Sequence, residues 1–317
     1  MDPLSGFLHG PRARGAFLLR VVMRPPWSIA VADEAPLTLV QQVHGRSWFR
    51  PEGARPTALG PGDAVVVRSP VTYTLSTDVD APPSIVIGPG QGCSGSDGRD
   101  LSEEMAAGVR TWGNDPDGED CLLVGTYRSD GEVGRLLLRA LPAYLVVRSP
   151  APGVASLLQD ELATAALGQD SMLDRLLDLL LIATLRAWAT DPGTLHASGL
   201  LAAGQDPVVQ ASVRLLQERP GEPWTVEQLA RTVGLSRPAL ARRFGEVVGV
   251  PPMAYLTQWR LALGADLLRG DDLTVGAIAH RVGYASPFSF SAAFKREYGV
   301  SPQAYRTGED QPDVAAT

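Results

Sequence analysis

The last hundred residues of this 317-residue chain contain the same small unit twice. Thr225 and Thr274 are 49 residues apart, as are Gly234 and Gly283. Ser236 and Ser286, Phe244 and Phe294, and Gly249 and Gly299 are each 50 apart. The two copies end almost alike, in GVPPMAY (249–255) and GVSPQAY (299–305). Near-constant spacing in only two copies constrains the fold to a duplicated compact unit and excludes a solenoid.

Each copy reads as helix–turn–helix. In the first, Thr225 caps a helix and Gln228 completes a capping box. Leu229, Ala230 and Val233 face inward, and Gly234 supplies the left-handed turn that ends the helix. Ser236 caps a second helix whose inward face is Leu240, Phe244 and Val247 or Val248. In the second copy Thr274 is the cap and Val275, Ile278, Ala279 and Val282 face inward. Gly283 turns the chain, and Ser286 caps with Pro287 at the first helical position. Phe290 and Phe294 follow on the inward side. A short helix, a tight Gly turn and a Ser-capped second helix is the sequence form of a DNA-reading motif.

A rotation of 100° per residue gives the outward face of each second helix. Arg242 lies almost opposite Leu240, flanked by Pro238 and Gly245, where a guanidinium reaches guanine O6 and N7 as a bidentate donor, and Pro238 and Ala241 are further DNA-binding candidates. Arg237 and Arg243 lie nearer the edges and suit phosphates, which position without specifying. In the second copy Phe288, Ala292 and Lys295 point outward, with Ser286, Ser289 and Ser291 beside them. Ala292 stands fifty residues after Arg242. Phe288 suits a thymine methyl and Lys295 a phosphate. The first helix is thus expected to give most of the hydrogen-bond specificity.

A formal charge of −7 at first opposes a nucleic-acid partner. The charges are unevenly placed. Residues 1–205 carry 16 Arg against 23 acids, a net of −7. Residues 206–306 carry eleven Arg and Lys295 against nine acids, a net of +3, and the tail 307–317 carries Glu309, Asp310 and Asp313. The basic unit is the repeated one. Having one lysine among 28 basic residues suggests a GC-rich genome.

The N-terminal region follows a different period. Ala16–Met23, Trp27–Ala32, Leu37–Val43, Ala64–Val67 and Thr72–Leu75 are short apolar runs between turn clusters, as in β-strands. His44–Gly45 reads as a turn. Residues 88–120 read as a mobile Gly-rich and acidic insertion with a short helix near Leu101–Trp112, and Leu122–Gly125 and Tyr144–Val147 as a return to strands. Ala155–Leu167 and Ser171–Ala189 fit helices, the second apolar enough to need burial on more than one side, against its own domain or a second chain. TDPGTLHASG (190–199) reads as a linker.

These residues resemble the AraC/XylS family of bacterial transcription regulators. AIAHRVGYASPFSFSAAFKREYGVSPQAYR (277–306) carries the signature, and LARTVGLSRPALARRFGEVVGVPPMAYLTQWRLALGADLL (229–268) fits as well. The resemblance implies that Met253–Leu268 is a helix joining the two units and that one chain reads two successive major grooves, roughly 34 Å apart. The family carries Arg or another polar residue where Ala292 stands, which weakens the readout expected of the second helix. DPLSGFL (2–8), RGAFLLRVVMRPPWSIAV (14–31), LGPGDAVVV (59–67), GTYRSDGEVGRLLLRALP (125–142) and LLDLLL (176–181) resemble the cupin-type sensor domain of one branch. Metal-binding cupins present His and Glu from neighbouring strands. Here VQQV (40–43) and VTYTL (71–75) lack histidine, and His9, His44, His196 and His280 have no ligand spacing.

Other chemistry has little support in the sequence. GPGQGC (88–93) lacks the Lys-Ser/Thr pair of a phosphate loop, and there is no nucleophile elbow. Cys93, in a Gly-Ser loop, reads as exposed, and it and Cys121 are candidates for oxidant sensing. The start, MDPLSGFLHG, does not read as a signal peptide, and Leu176–Leu185 is too short to span a bilayer. The expected fold is α+β: a cupin-like sensor barrel over 1–150, a helical dimerisation segment and linker over 151–205, an all-α domain with two helix-turn-helix units over 206–306, and an acidic tail over 307–317. The expected function is a cytoplasmic, dimeric, sequence-specific regulator without cofactor, metal or catalytic residue. Its expected partners are double-stranded DNA, RNA polymerase as for an activator, and an unknown small-molecule or redox effector, with no membrane partner. Trp27, Gln41 and Tyr73 are candidates for lining the sensor pocket. The alternative is a cupin-fold enzyme fused to a DNA-binding domain.

Overall fold

The computed structural model describes residues 17–108, 110–127, 131–139, 141–163, 166–191, 206–270 and 273–308. The segment 2–8, His9, His196, most of the expected linker and the acidic residues of the tail lie outside the described residues. The described residues form two compact units.

The first unit is built on two sheets. Its strands are β1 (Phe17–Met23), β2 (Ser28–Val31), β3 (Leu37–His44), β4 (Ser47–Pro51), β5 (Thr57–Leu59), β6 (Ala64–Arg68), β7 (Tyr73–Ser76), β8 (Ile85–Ile87), β9 (Cys93–Gly95), β10 (Ala106–Gly108), β11 (Thr111–Trp112), β12 (Asp120–Tyr127) and β13 (Tyr144–Val147). Seven strands pair in the order β10-β11-β1-β12-β3-β6-β13, and six in the order β5-β4-β7-β2-β8-β9. Alternate residues of both sheets meet in one core: Val21, Val40, Val65 and Leu122 from the first, Ile29, Phe49, Tyr73 and Leu75 from the second. This is the cupin-type arrangement, in which two sheets enclose an apolar interior.

Strand β6 is buried at four consecutive residues, Ala64 to Val67. Such a run needs cover on both faces of the sheet. Helices on the first unit supply it: α2 (Pro152–Ala163) and α3 (Gln169–Thr190) pack together, and α3 lies against β1 and β13. The Tyr127 hydroxyl of β12 donates to the Leu177 carbonyl at 2.9 Å. Leu173, Leu177, Leu180 and Leu185 of α3 are fully buried, while Met172 and Leu179 are exposed.

Residues 88–120 depart from the sequence expectation. The described part of this segment is not a mobile insertion with a helix: it adds β9 to the edge of one sheet and β10 and β11 to the other. Leu101 and Met105 are buried in the core, and the Met105 amide donates to the Leu101 carbonyl at 3.0 Å. That bond closes a single turn, and no helix follows it in the described part of the segment. Cys93 is also buried, not exposed, because β9 pairs with β8 and turns the thiol inward.

The second unit is helical. It holds α1 (Glu132–Leu138), α4 (Pro207–Glu218), α5 (Val226–Thr232), α6 (Arg237–Val248), α7 (Pro252–Gly270), α8 (Val275–Arg281), α9 (Pro287–Tyr298) and α10 (Pro302–Thr307). The short α1, which lies between β12 and β13 in sequence, packs on α7 and belongs to this unit. The two repeats are α5–α6 and α8–α9. Gly234 and Gly283 adopt φ of +74° and +88° at the two turns, a region open to Gly without Cβ strain. Leu229, Ala230, Leu240 and Phe244 are buried in the first repeat, and Ile278, Ala279, Val282, Phe290 and Phe294 in the second. Val233, Val247 and Val248 are half-buried. Helix α7 joins the repeats, and its Leu261, Ala265 and Leu268 complete the second core. Among the described residues no helix is long and apolar enough to cross a membrane.

Candidate nucleic-acid interface

The two second helices, α6 and α9, start in the same way. The Ser236 side chain accepts from the Ala239 amide, and the Ser286 side chain accepts from the Ser289 amide at 3.2 Å. Ser289 answers with its own side chain on the Ser286 amide, a capping box in which Ser replaces the usual Glu or Gln. Pro238 and Pro287 lie in the first turns. These caps fix where each helix begins, and therefore which residues its outer face presents.

On α6, Arg237, Pro238, Ala241 and Arg242 are exposed. The Arg242 side chain is 72% exposed and is paired with Glu246, one turn on, at 3.3 Å. Arg243 is half-buried, and its guanidinium is held by Asp206. Asp206 also accepts from the Val208 and Val209 amides at 3.0 and 3.1 Å, capping α4. Burial alone would raise the Asp206 carboxyl, but Arg243 and the two amides hold it below the ordinary carboxylate value. The Asp206–Arg243 pair therefore ties α4 to α6.

On α9, Phe288, Ser289, Ala292 and Lys295 are exposed, while Ser286 and Ser291 are half-buried. Phe288 is 86% exposed, on a helix whose other two phenylalanines are fully buried. An apolar ring held out in this way is costly unless something covers it. The first helix thus presents a cation and the second an aromatic ring with Lys295 one face further.

The sheet unit contains a cavity of about 160 Å³, lined mainly by Leu19, Val21, Ile29, Leu75 and Val124. Its polar lining includes Tyr73, Cys93, Ser102, Asp33 and Gln91, the last two joined at 2.8 Å. Burial pushes the Tyr73 hydroxyl far above its ordinary value. Of the three candidate pocket residues, Tyr73 lines this cavity. Trp27 is buried with its indole N–H on Asp120 at 2.8 Å. Gln41 follows the inward-facing Val40 on β3 and donates to the Gly62 carbonyl at 3.2 Å. Asp33, Gln91 and Trp112 were not legible as cavity residues, since they come from segments without strand periodicity. Among the described residues no group of three or more His, Cys, Asp or Glu is placed to hold a metal.

Comparison with known proteins agrees with this architecture. Residues 2–190 match the cupin family, and residues 229–308 match the helix-turn-helix domain family. A putative AraC-like transcription regulator of Streptomyces antibioticus is 31% identical over 316 residues, covering 96% of this chain and 98% of that protein. Another, from Streptomyces lividans, is 31% identical and covers 98% of this chain and all of its own length. The DNA-binding domain of AdpA, a global transcriptional factor solved with a target DNA, is 33% identical with a TM-score of 0.31, covering 32% of this chain and 90% of that one. An N-terminal cupin domain followed by a duplicated helix-turn-helix, matched over nearly its whole length by such regulators, means that this chain belongs to the AraC-like family of transcription regulators.

Proposed function

We propose that the protein binds double-stranded DNA in a sequence-specific manner through α6 and α9, and that a small molecule in the sheet cavity modulates this binding. The observation that carries the reading is the outer face of α6, where a capped helix presents Arg242 to solvent beside small neighbours. Arg242 reads guanine, Arg237 and Lys295 contact phosphates, and Phe288 covers a thymine methyl. Pro238, Ala241, Ser286, Ser289, Ser291 and Ala292 let the backbone approach the groove. Arg243 serves the interface by holding α6 against α4 through Asp206.

The effector is small and mostly apolar. Support comes from the cavity's size, close to that of an engineered pocket of about 150 Å³ that holds benzene, and from its mostly apolar lining. A small-molecule signal fits better than a redox one. Burial pushes both the Cys93 and Cys121 thiols above their ordinary value, away from the reactive thiolate. The described cavity lining holds no histidine, which favours binding over cupin-type catalysis. Exposed Met172 and Leu179 on α3 suit a second copy of the chain, so the working form is a homodimer. A cytoplasmic location and contact with RNA polymerase, as for an activator, complete the reading.

Selection from a random-sequence duplex library by the full-length chain tests the DNA reading. Enrichment of a defined site, with affinity falling steeply as salt rises, is the expected outcome. No enrichment, or affinity independent of salt, would refute it.

A further inference from the structure

Helix α1 comes from the sensor half of the sequence, yet it is anchored on the DNA-binding half by polar contacts. The Asp266 carboxylate of α7 accepts from the Glu132 amide at 2.6 Å and from the Val133 amide at 3.2 Å. The approach is close: a Cβ on Gly131 would stand 2.8 Å from the Asp266 oxygen. Glu132 is 7% exposed, and its side chain accepts from the Tyr305 hydroxyl of α10 at 2.7 Å. It also pairs with Arg135 at 2.7 Å. A carboxylate this deep persists only when its oxygens are bonded.

The Tyr305 ring is the second link. It stands edge-on to Phe294 of α9 at 5.2 Å between centroids and lies 5.5 Å from Tyr298, also of α9. Arg269 of α7 covers its face at 4.5 Å. Glu132 therefore touches a residue that packs directly under the second reading helix. Among the described residues, α5 and α6 have no comparable link to α1.

We propose that Glu132 is a positioning residue for α9: through Tyr305 it sets how the second reading helix meets DNA, and leaves the first unaffected. The state of the sensor would then act on half of the binding site. This inference rests on the reading of α6 and α9 as DNA-reading helices.

The test uses the full-length chain and duplexes that it selects from a random library. Each base pair of the selected site is altered in turn, and Arg242→Ala marks the half read by α6. Three variants then disturb the contact from different sides: Glu132→Ala, Tyr305→Phe, which keeps the ring, and Gly131→Ala, whose added Cβ meets Asp266 of α7. The expected result is that mismatch penalties in the α9 half change by about threefold or more, against penalties that start near five- to hundredfold, while those in the α6 half hold. A loss of folding alone would weaken both halves together. Penalties unchanged in both halves, or changed equally, would overturn the proposal and leave DNA reading intact. If the wild-type chain selects no site, or Arg242→Ala marks neither half, both readings fall.

Discussion

Two arginines next to each other on α6 have different surroundings. Arg242 is exposed and, among the described residues, pairs with Glu246 one turn away, while Arg243 is half-buried and bound to Asp206. An exposed pair of this kind is worth little, so Arg242 is available to a stronger partner. Arg242→Ala should relax the sequence preference of DNA binding at the matching position, costing about 1–3 kcal/mol on the preferred site and much less on mismatched ones. Lys295→Ala should weaken matched and mismatched duplexes alike and reduce the salt slope by about 1. Titrations of matched and mismatched duplexes at several salt concentrations separate the two. The depressed Asp206 carboxyl gives a pH signature. Its folded value lies below the unfolded one, so its contribution is complete above the ordinary carboxylate range, near 4. That contribution is lost as pH falls through the folded value. Asp206→Asn, which keeps a capping oxygen but not the charge, should lower the melting temperature at neutral pH, with the gap closing in acid. A gap unchanged down to pH 2 would contradict the account.

Helices α5 and α8 end in equivalent turns, but their glycines are in different surroundings. A Cβ on Gly234 would meet nothing, whereas one on Gly283 would stand 2.6 Å from the Pro220 carbonyl oxygen and 2.7 Å from Arg260. The Arg260 side chain donates to the carbonyls of Pro220 and Glu222, both at 2.7 Å, and so has little room to move. Gly234→Ala should cost about 1 kcal/mol for its backbone alone. Gly283→Ala should cost about 1–3 kcal/mol more from the added overpacking. Chemical denaturation of the two variants checks the order. The repeats were legible from sequence because Thr225, Ser236, Thr274 and Ser286 are caps, and a cap acts within three residues of itself. Strands such as β3 and β12 were legible as apolar runs, although burial on both faces blurred their alternation. Helix α1 was not legible as an element. It spans seven residues with Gly134 in its middle, and its support comes from Asp266 and Tyr305, more than a hundred residues away. The strands of residues 88–120 were missed for the same reason: their pairing partners β1 and β8 are distant or obscured by Gly-rich sequence.

The whole molecule divides a charge of −7 unevenly between its two halves. The +3 of residues 206–306 is modest for DNA binding, so affinity for random sequence should be weak and specificity should depend on both reading helices together. The cavity of the sheet unit gives a further expectation. Benzyl alcohol, an apolar ring with one hydroxyl, should raise the melting temperature in a concentration-dependent way. Ile29→Trp, which fills the cavity, should abolish that shift, and a shift that persists would place the compound elsewhere. The sequence placement of α1 has an evolutionary consequence. A recombination event in the stretch near 192–205 would carry α4 to α10 into a new gene but leave Glu132 behind. The transplanted reader would gain a bare face on α7, with Asp266 and the Tyr305 hydroxyl facing solvent. A fusion partner that is to hold Asp266 and Tyr305 as this chain does must bring a counterpart of α1 with it.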